Sequence, residues 1–258
     1  MKNGDCTVIV CSCDEYEDLQ SPSVSLFRKF WPDCPFEVVL ATETAATEGF
    51  DRVVSLGERA LWCRRLEKAL RLTDTPYVLL LMDDYLLAGP VDTVGFMRRL
   101  GQARSLDAAN LRLNPNPPGR IPLPDVDLME MPKNVAYCIT CQTGIWNREF
   151  LLGLVERNGS AWELERKGSF MVGGETRPLL VTRTKEFPFI DAVHKGYWEK
   201  KGLELCRANG VDVDLAKRGL PPLSIRVKEG LKALIFAVVP TTLLVKVQNF
   251  LSSRGAGA

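Results

Sequence analysis

Residues Tyr77-Val-Leu-Leu-Leu-Met-Asp-Asp-Tyr-Leu-Leu87 place two adjacent carboxylates inside an otherwise apolar run. A continuous apolar strand of this kind belongs in the middle of a parallel sheet covered on both faces. Burying one unpaired carboxylate costs several kcal/mol, and two side by side repel each other. A cationic group should therefore meet Asp83 and Asp84, and a divalent metal carrying a phosphate satisfies both at once. The alternative is that the strand stops at Met82 and the two aspartates are loop residues capping the next element. The segments around the run bear on the choice.

Upstream, Cys6-Thr-Val-Ile-Val-Cys-Ser12 reads as a first buried strand. Ser21 to Trp31 follows as a helix, with Ser21 as its cap and Pro22 in its first turn. Phe36 to Thr42 is a second strand with Glu43 at its carboxyl end, and Arg52 to Leu56 a third. Glu58 to Leu72 carries a helical stripe of Leu61, Trp62, Leu66, Ala69 and Leu70 against a cationic face. Strand alternating with helix is the pattern of an open α/β sheet, whose ligands bind beyond the carboxyl ends of the strands. Ser12, Asp14, Glu43, Asp83 and Asp84 all fall on that rim.

Downstream, a helix is predicted over Val91 to Leu100 and a strand over Ala109 to Leu113. The proline-rich Asn114 to Pro124 reads as surface loop. Tyr137 to Trp146 is strand-like, Asn147 caps a helix, and Ser160 and Glu163 have capping-box spacing. Arg177 to Arg183 reads as strand, Phe187 to Trp198 as strand and turn, and Glu199 to Asn209 as helix.

With 258 residues and a net charge of +1, the chain is long enough for a large core and lacks the basic excess of a general nucleic-acid binder. Its eight cysteines sit in apolar segments behind a polar start with no signal core, which fits reduced thiols in the cytoplasm. Cys138 and Cys141, with Cys11 and Cys13, have spacings that a zinc site could use. Without glycine knuckles, and with Cys138 and Cys141 on opposite faces of a strand, they read instead as buried small hydrophobes.

The order of features over roughly residues 6 to 210 resembles the GT-A class of nucleotide-sugar glycosyltransferases, broadly the family-2 type. Met82-Asp-Asp84 looks like its metal motif, and Gln142-Thr-Gly-Ile-Trp-Asn-Arg148 its sugar-closing segment, with Gln142, Gly144 and Trp162 toward donor and acceptor sugars. Ala161-Trp-Glu-Leu-Glu165 resembles the segment that supplies the base of inverting members, and His194 lies where many place a third metal ligand. The chain departs from the family's Asp-x-Asp, from its Glu-Asp pair, and from its early Ser-x-x-Asn, which here is Ser12-Cys-Asp-Glu-Tyr16.

The resemblance implies a GT-A type open mixed sheet with helices on both faces and a Rossmann-like nucleotide-binding half. It further implies transfer of a sugar from a nucleotide-diphosphate donor to a glycan or lipid-linked acceptor, in polysaccharide or glycolipid assembly. Asp84 would hold Mn2+ or Mg2+, Asp83 would touch the ion or the ribose, and His194 would add a nitrogen ligand favouring manganese. Ser12, Asp14, Glu43 and Arg65 would line the nucleotide side, with Arg64 or Arg65 within reach of the diphosphate. A carboxylate must take the acceptor's proton. Glu163 and Glu165 lie roughly 200° apart around a helix, so one faces the site, and a capping role for Glu163 would leave Glu165 as base.

Two other classes share these features: a nucleotidyltransferase, which should carry an early glycine-rich basic loop that Cys11 to Tyr16 lacks, and a non-catalytic sugar-nucleotide-binding protein. From residue 223 the chain becomes an amphipathic, basic segment, with Arg226, Lys228, Lys232, Lys246 and Arg254 against Glu229. It falls short of the ~20 apolar residues of a spanning helix. Residues 1–222 therefore read as the catalytic domain and 223–258 as a helical tail. Such a tail either lies on the inner face of an anionic membrane or packs on protein.

Overall fold

The computed structural model describes residues 4–133 and 135–222; the expected tail over 223–258 lies outside them. The apolar run splits in two. Strand β4 (Tyr77–Met82) lies in the large sheet, Asp83 and Asp84 form a turn, and β5 (Tyr85–Leu87) leaves for a different sheet. Around β4 stand β1 (Cys6–Cys11), β2 (Glu37–Thr42) and β3 (Arg52–Ser55), all parallel. On its other side is β9 (Gly144–Asn147), antiparallel to both β4 and β6 (Asn110–Arg112). β10 (Leu179–Thr182) runs parallel to β6. β8 (Leu128–Glu130) and β7 (Ile121–Pro122) complete a nine-stranded mixed sheet of order β3-β2-β1-β4-β9-β6-β10-β8-β7. The fold is α/β with a parallel, Rossmann-like half; an all-parallel surrounding for β4 is corrected by β9.

Period-two alternation sorts the strand residues onto two faces. Ile9, Val39, Val78, Leu80 and Trp146 pack with Leu66 and Leu70 of α2 (Trp62–Arg71), with Leu151 and Leu154 of α4 (Arg148–Val155), and with Leu164. Val8, Val38, Leu79, Leu81 and Ile145 meet Phe27 of α1 (Glu17–Phe30), the adjoining Trp31, and Phe96 and Leu100 of α3 (Thr93–Ser105). Helices therefore cover both faces.

Helix α1 begins before the predicted Ser21, and Pro22 lies inside it. An interior proline forfeits a hydrogen bond, roughly 3 kcal/mol with its clash. The extra turn offsets this by carrying Leu19 to full burial and Asp18 to its partner Arg218. Helix α2 starts later than predicted, so Leu61 is exposed and the buried stripe is Cys63, Arg65, Leu66, Ala69 and Leu70. Asn147 caps α4 through a 3.0 Å bond from Phe150 N, as its position predicts. Residues 137–140 form turns instead of strand; Cys138 and Cys141 are both buried and free.

A third cluster sits at the end of the molecule where β5 goes. There β11 (Phe189–Asp191) pairs with β5, and β12 (Val193–His194) and β13 (Tyr197–Trp198) form a hairpin. Its turn needs positive φ at both Lys195 (51°) and Gly196 (79°). Leu86, Ala192, Val193 and Trp198 pack there against Leu19 and Leu26 of α1 and Cys206 of α7 (Lys200–Ala208). Ala192 N donates to Asp84 O at 2.9 Å, so this cluster braces the aspartate turn.

Gly202 of α7 is the contact that lets the brace close: a Cβ there would stand 2.8 Å from Ala192 Cβ and 2.9 Å from Ala192 O. Gly202→Ala should therefore destabilise the protein by roughly 1–3 kcal/mol despite the better helix propensity of alanine. Urea unfolding checks this; a variant as stable as the parent would mean that the brace yields freely.

Candidate active site

The chain runs outward from β1 to β2 and β3, then returns to place β4 on the other side of β1. That reversal opens a crevice beyond the carboxyl ends of β1 and β4, the place where open α/β sheets bind ligands. A cleft of about 420 Å³ lies there, lined among others by Ser12, Tyr16, Arg65, Asp83, Asp84, Cys141, Gln142, Trp162 and Glu165. Seven residues expected from the sequence thus share one cleft: Ser12, Arg65, Asp83, Asp84, Gln142, Trp162 and Glu165.

Asp83 is buried, and its Oδ2 has no hydrogen-bond partner among the described residues. Burial first, and the Asp84 charge second, push its carboxyl well above the usual range, against the pull of Ser12, Arg218 and Arg65. Half-buried Asp84 is raised as well, by burial and then by the Asp191 carboxylate. The two form an acidic pair short of positive charge.

Other rim groups are already engaged. Glu43 Oε1 accepts from Arg65 Nη1 at 2.8 Å and Ala60 N at 2.9 Å, and its Oε2 accepts from Asp14 N at 3.0 Å. The Asp14 carboxylate accepts from Thr44 N and Ala45 N, bonds that hold it below the usual carboxylate range. Asp14 and Glu43 thus fasten the β2 exit loop, and their side chains border a neighbouring hollow of about 830 Å³. Arg65 stands on the wall common to both hollows, its Nε buried and without a hydrogen-bond partner among the described residues.

Across the cleft, Ser160 caps the short helix α5 (Ala161–Glu163) through a 3.1 Å bond from Glu163 N. The Glu163 carboxylate turns back to Gly159 N at 2.8 Å and pairs with Lys167, so Glu163 does not line the cleft. A π turn over Leu164–Gly168 then leads into α6 (Ser169–Met171) and places Glu165 in the cleft wall. π turns are frequent where a side chain must be re-aimed. Glu165 Oε1 accepts from Cys141 N at 2.7 Å. Burial raises its carboxyl, opposed by that bond and by the charge of Arg112.

Two expected residues stand elsewhere. His194 is exposed on the β12–β13 hairpin and does not line the cleft. Alternation explains it: Val193 faces the core, so its neighbour faces water. Gly144 is buried in β9, where a Cβ would meet Leu111 O at 3.0 Å, so it serves close strand packing. Among the described residues, no three His, Cys, Asp or Glu side chains gather as a metal-holding group. Burial pushes the thiol of Cys11 up to about 12 and that of Cys141 well above its ordinary value.

Tyr16 in the cleft, and Arg218 and Asp191 beside its residues, carried no sequence signal. Tyr16 is held under the Arg218 guanidinium, 4.1 Å from its ring centre. Arg218 reaches there from beyond α7 through Asp18 at 2.9 Å and Gly196 O at 2.9 Å. Asp191 joins Asp84 by strand pairing of β11 with β5. A sequence offers only that Asp191 ends an apolar run, as Asp83 does.

No protein-family model and no curated protein matches the chain. Among solved structures it is similar to S. aureus TarS residues 1–349, at 11% identity over 69% of this chain and 60% of that one, with a TM-score of 0.43. It is also similar to S. aureus TarS, at 14% identity over 82% of this chain and 41% of that one, TM-score 0.48. A cytidylyltransferase from Leptospira borgpetersenii serovar Hardjo-bovis matches at 10% identity over 81% and 96%, TM-score 0.45. The chain spans about 60% and 41% of the two TarS structures.

The raised Asp83 carboxyl has a consequence for stability. Its folded-state proton affinity exceeds that of the unfolded chain, so the folded state loses stability as pH rises from the ordinary carboxylate range through neutrality. Asp83→Asn should match the parent near pH 4 and be more stable by roughly 1–3 kcal/mol at pH 8. Thermal unfolding at both pH values measures it; an equal loss at pH 8 would show that a partner already compensates the charge.

Proposed function

We propose that the chain is a metal-dependent glycosyltransferase that moves a sugar from a nucleotide-diphosphate donor to a glycan or lipid-linked acceptor with inversion. The observation that carries this reading is that the charge-deficient Asp83–Asp84 pair and Glu165 line one cleft at the reversal of strand order. The donor set fits a divalent ion whose remaining ligands come with the donor, since two carboxylates are present and an oxygen is orphaned. Asp84 and Asp83 would hold Mn2+ or Mg2+; His194, exposed on its hairpin, is dropped from the ligand set. The ion supplies positive charge to the departing diphosphate.

The remaining work falls to the side chains. Ser12 and Arg65 border the donor side, and the guanidinium adds charge for the phosphates. Trp162, 73% exposed beside the cleft, offers a ring face to a sugar, and Gln142, oriented by Asn114 Nδ2 at 2.7 Å, offers its amide. Glu165 takes the proton from the acceptor hydroxyl as that oxygen attacks the anomeric carbon. Its Cys141 bond fixes one oxygen and leaves the other for the acceptor. Because Glu165 acts deprotonated and burial raises its carboxyl, the rate should fall on acidification at a pH above that of an ordinary glutamate.

The membrane side of the reading rests on composition. Among the described residues no helix is long and apolar enough to cross a bilayer. The basic residues after 223 fit attachment to an anionic surface, and with it a lipid-linked acceptor.

Hydrolysis and transfer with a panel of nucleotide sugars, with and without manganese, tests the proposal. Glu165→Gln should lower turnover about a hundredfold or more while donor binding persists, and Glu163→Gln should retain most activity. Asp84→Asn should remove manganese-dependent donor binding, measured by calorimetry. Pyrophosphate release from a nucleoside triphosphate would point instead to nucleotidyl transfer, and donor binding without turnover to a non-catalytic protein.

A further inference from the structure

Arg112 is 1% exposed, at the end of β6 in the middle of the sheet, and no carboxylate among the described residues bonds to it. A buried guanidinium is ordinarily paired, because its desolvation is costly. The other buried arginines obey that rule: Arg65 meets Glu43, Arg99 meets Glu186 and Arg218 meets Asp18. Arg112 has only two long contacts, from Nη1 to Thr140 Oγ1 at 3.4 Å and to Asn116 O at 3.5 Å, and its Nη2 has no partner among the described residues. Opposite it in the ladder is Gly144, which brings no side chain to that spot.

Its surroundings lead to Glu165. Thr140 precedes Cys141, whose N–H holds Glu165 Oε1 at 2.7 Å. The same strap is tied to the helix of Glu165 by Ile139 N to Ser169 Oγ at 3.1 Å, and Ser169 Oγ donates to Glu165 O at 2.7 Å. Among the described residues Glu165 has no cationic hydrogen-bond partner. The groups that face it are Cys141 and the Tyr85 hydroxyl, both kept neutral by burial, and Arg112. Arg166 and Lys167 of its own helix are exposed, and Lys167 is paired with Glu163. Cys138 also faces Arg112, and its thiol donates to Ser169 O at 3.3 Å.

We propose that Arg112 is the positioning residue for Glu165: it fixes the 138–141 strap through Thr140 and is the buried counter-charge that keeps the carboxylate ionised. The charge acts through the low-dielectric wall between them without direct contact. Each ion supplies what the other lacks, which accounts for an arginine without a carboxylate and a half-buried glutamate without a cation. Burial, opposed by the charges of Cys138 and Glu165, brings Arg112 down to about 10, so the guanidinium remains charged at neutral pH. The name "positioning residue" rests on Glu165 being the base; the coupling of the two charges does not.

The test therefore begins without substrate. In full-length protein with 13C-labelled glutamate carboxyls, the Glu165 signal is assigned by its loss in Glu165→Gln and titrated. Arg112→Gln should raise its midpoint by about one pH unit or more, and Arg112→Lys should restore most of the parent value. An unchanged midpoint in folded Arg112→Gln overturns the proposal. If Arg112→Gln does not fold, Glu165→Gln decides with Arg112 intact. Coupling is reciprocal, so the Arg112 guanidinium, followed by 15N NMR, should deprotonate at a lower pH in Glu165→Gln than in the parent; an unchanged midpoint overturns the proposal. Where nucleotide-sugar turnover is found, the acid limb of its pH profile should move with the Glu165 midpoint in Arg112→Gln. A merely structural residue would lower the rate and leave the limb in place. A moved midpoint with no turnover on any donor would instead count against sugar transfer and leave the coupling standing.

Discussion

The structure depends on the confinement of an uncompensated carboxylate pair at the end of the buried strand β4. Val78, Leu79, Leu80 and Leu81 of β4 are at most 3% exposed. Each apolar side chain so buried contributes roughly 1.5–3 kcal/mol. Their sum exceeds the several kcal/mol that an ionised, unpaired carboxylate costs. The fold can thus hold Asp83 where no isolated loop would. The brace of β11, β12 and α7 behind the turn then prevents the pair from escaping into water, since Ala192 grips the Asp84 carbonyl.

Polar groups on the same rim divide by whether their hydrogen-bonding capacity is used. Glu43 has both oxygens occupied and Asp14 has two backbone donors, so these carboxylates shape loops. Among the described residues Asp83 keeps a buried oxygen, and Arg65 a buried nitrogen, without a hydrogen-bond partner. Unsatisfied groups of opposite sign beside one cleft suit a ligand that carries both a cation and anionic oxygens. A metal-bound diphosphate has that composition.

The opposite wall shows the same division between two glutamates two residues apart. Glu163 closes the cap of its helix and pairs with Lys167; Glu165, moved by the π turn, faces the cleft. One cap bond therefore decides which carboxylate reaches the cleft. The strap over residues 138–141 carries that decision into the sheet, where Arg112 waits without a carboxylate of its own.

The sequence alone determined the local grammar. Alternating strand and helix gave the α/β class, Asn147 and Ser160 announced their caps, and the interrupted run at Asp83 marked the rim. Capping-box spacing separated Glu163 from Glu165 because a cap is a contact between near neighbours. Tertiary structure decided what depends on distant pairing. The switch between β1 and β4 is a matter of strand order, which no local pattern encodes. Asp191 reaches Asp84 only because β11 pairs with β5, and Arg218 reaches Tyr16 from 202 residues further along the chain, by subtraction of their numbers. That His194 and Gly144 lie outside the cleft lining has the same reason: motif position says which residue type is present, whereas the facing of a strand is fixed by the partner it packs against.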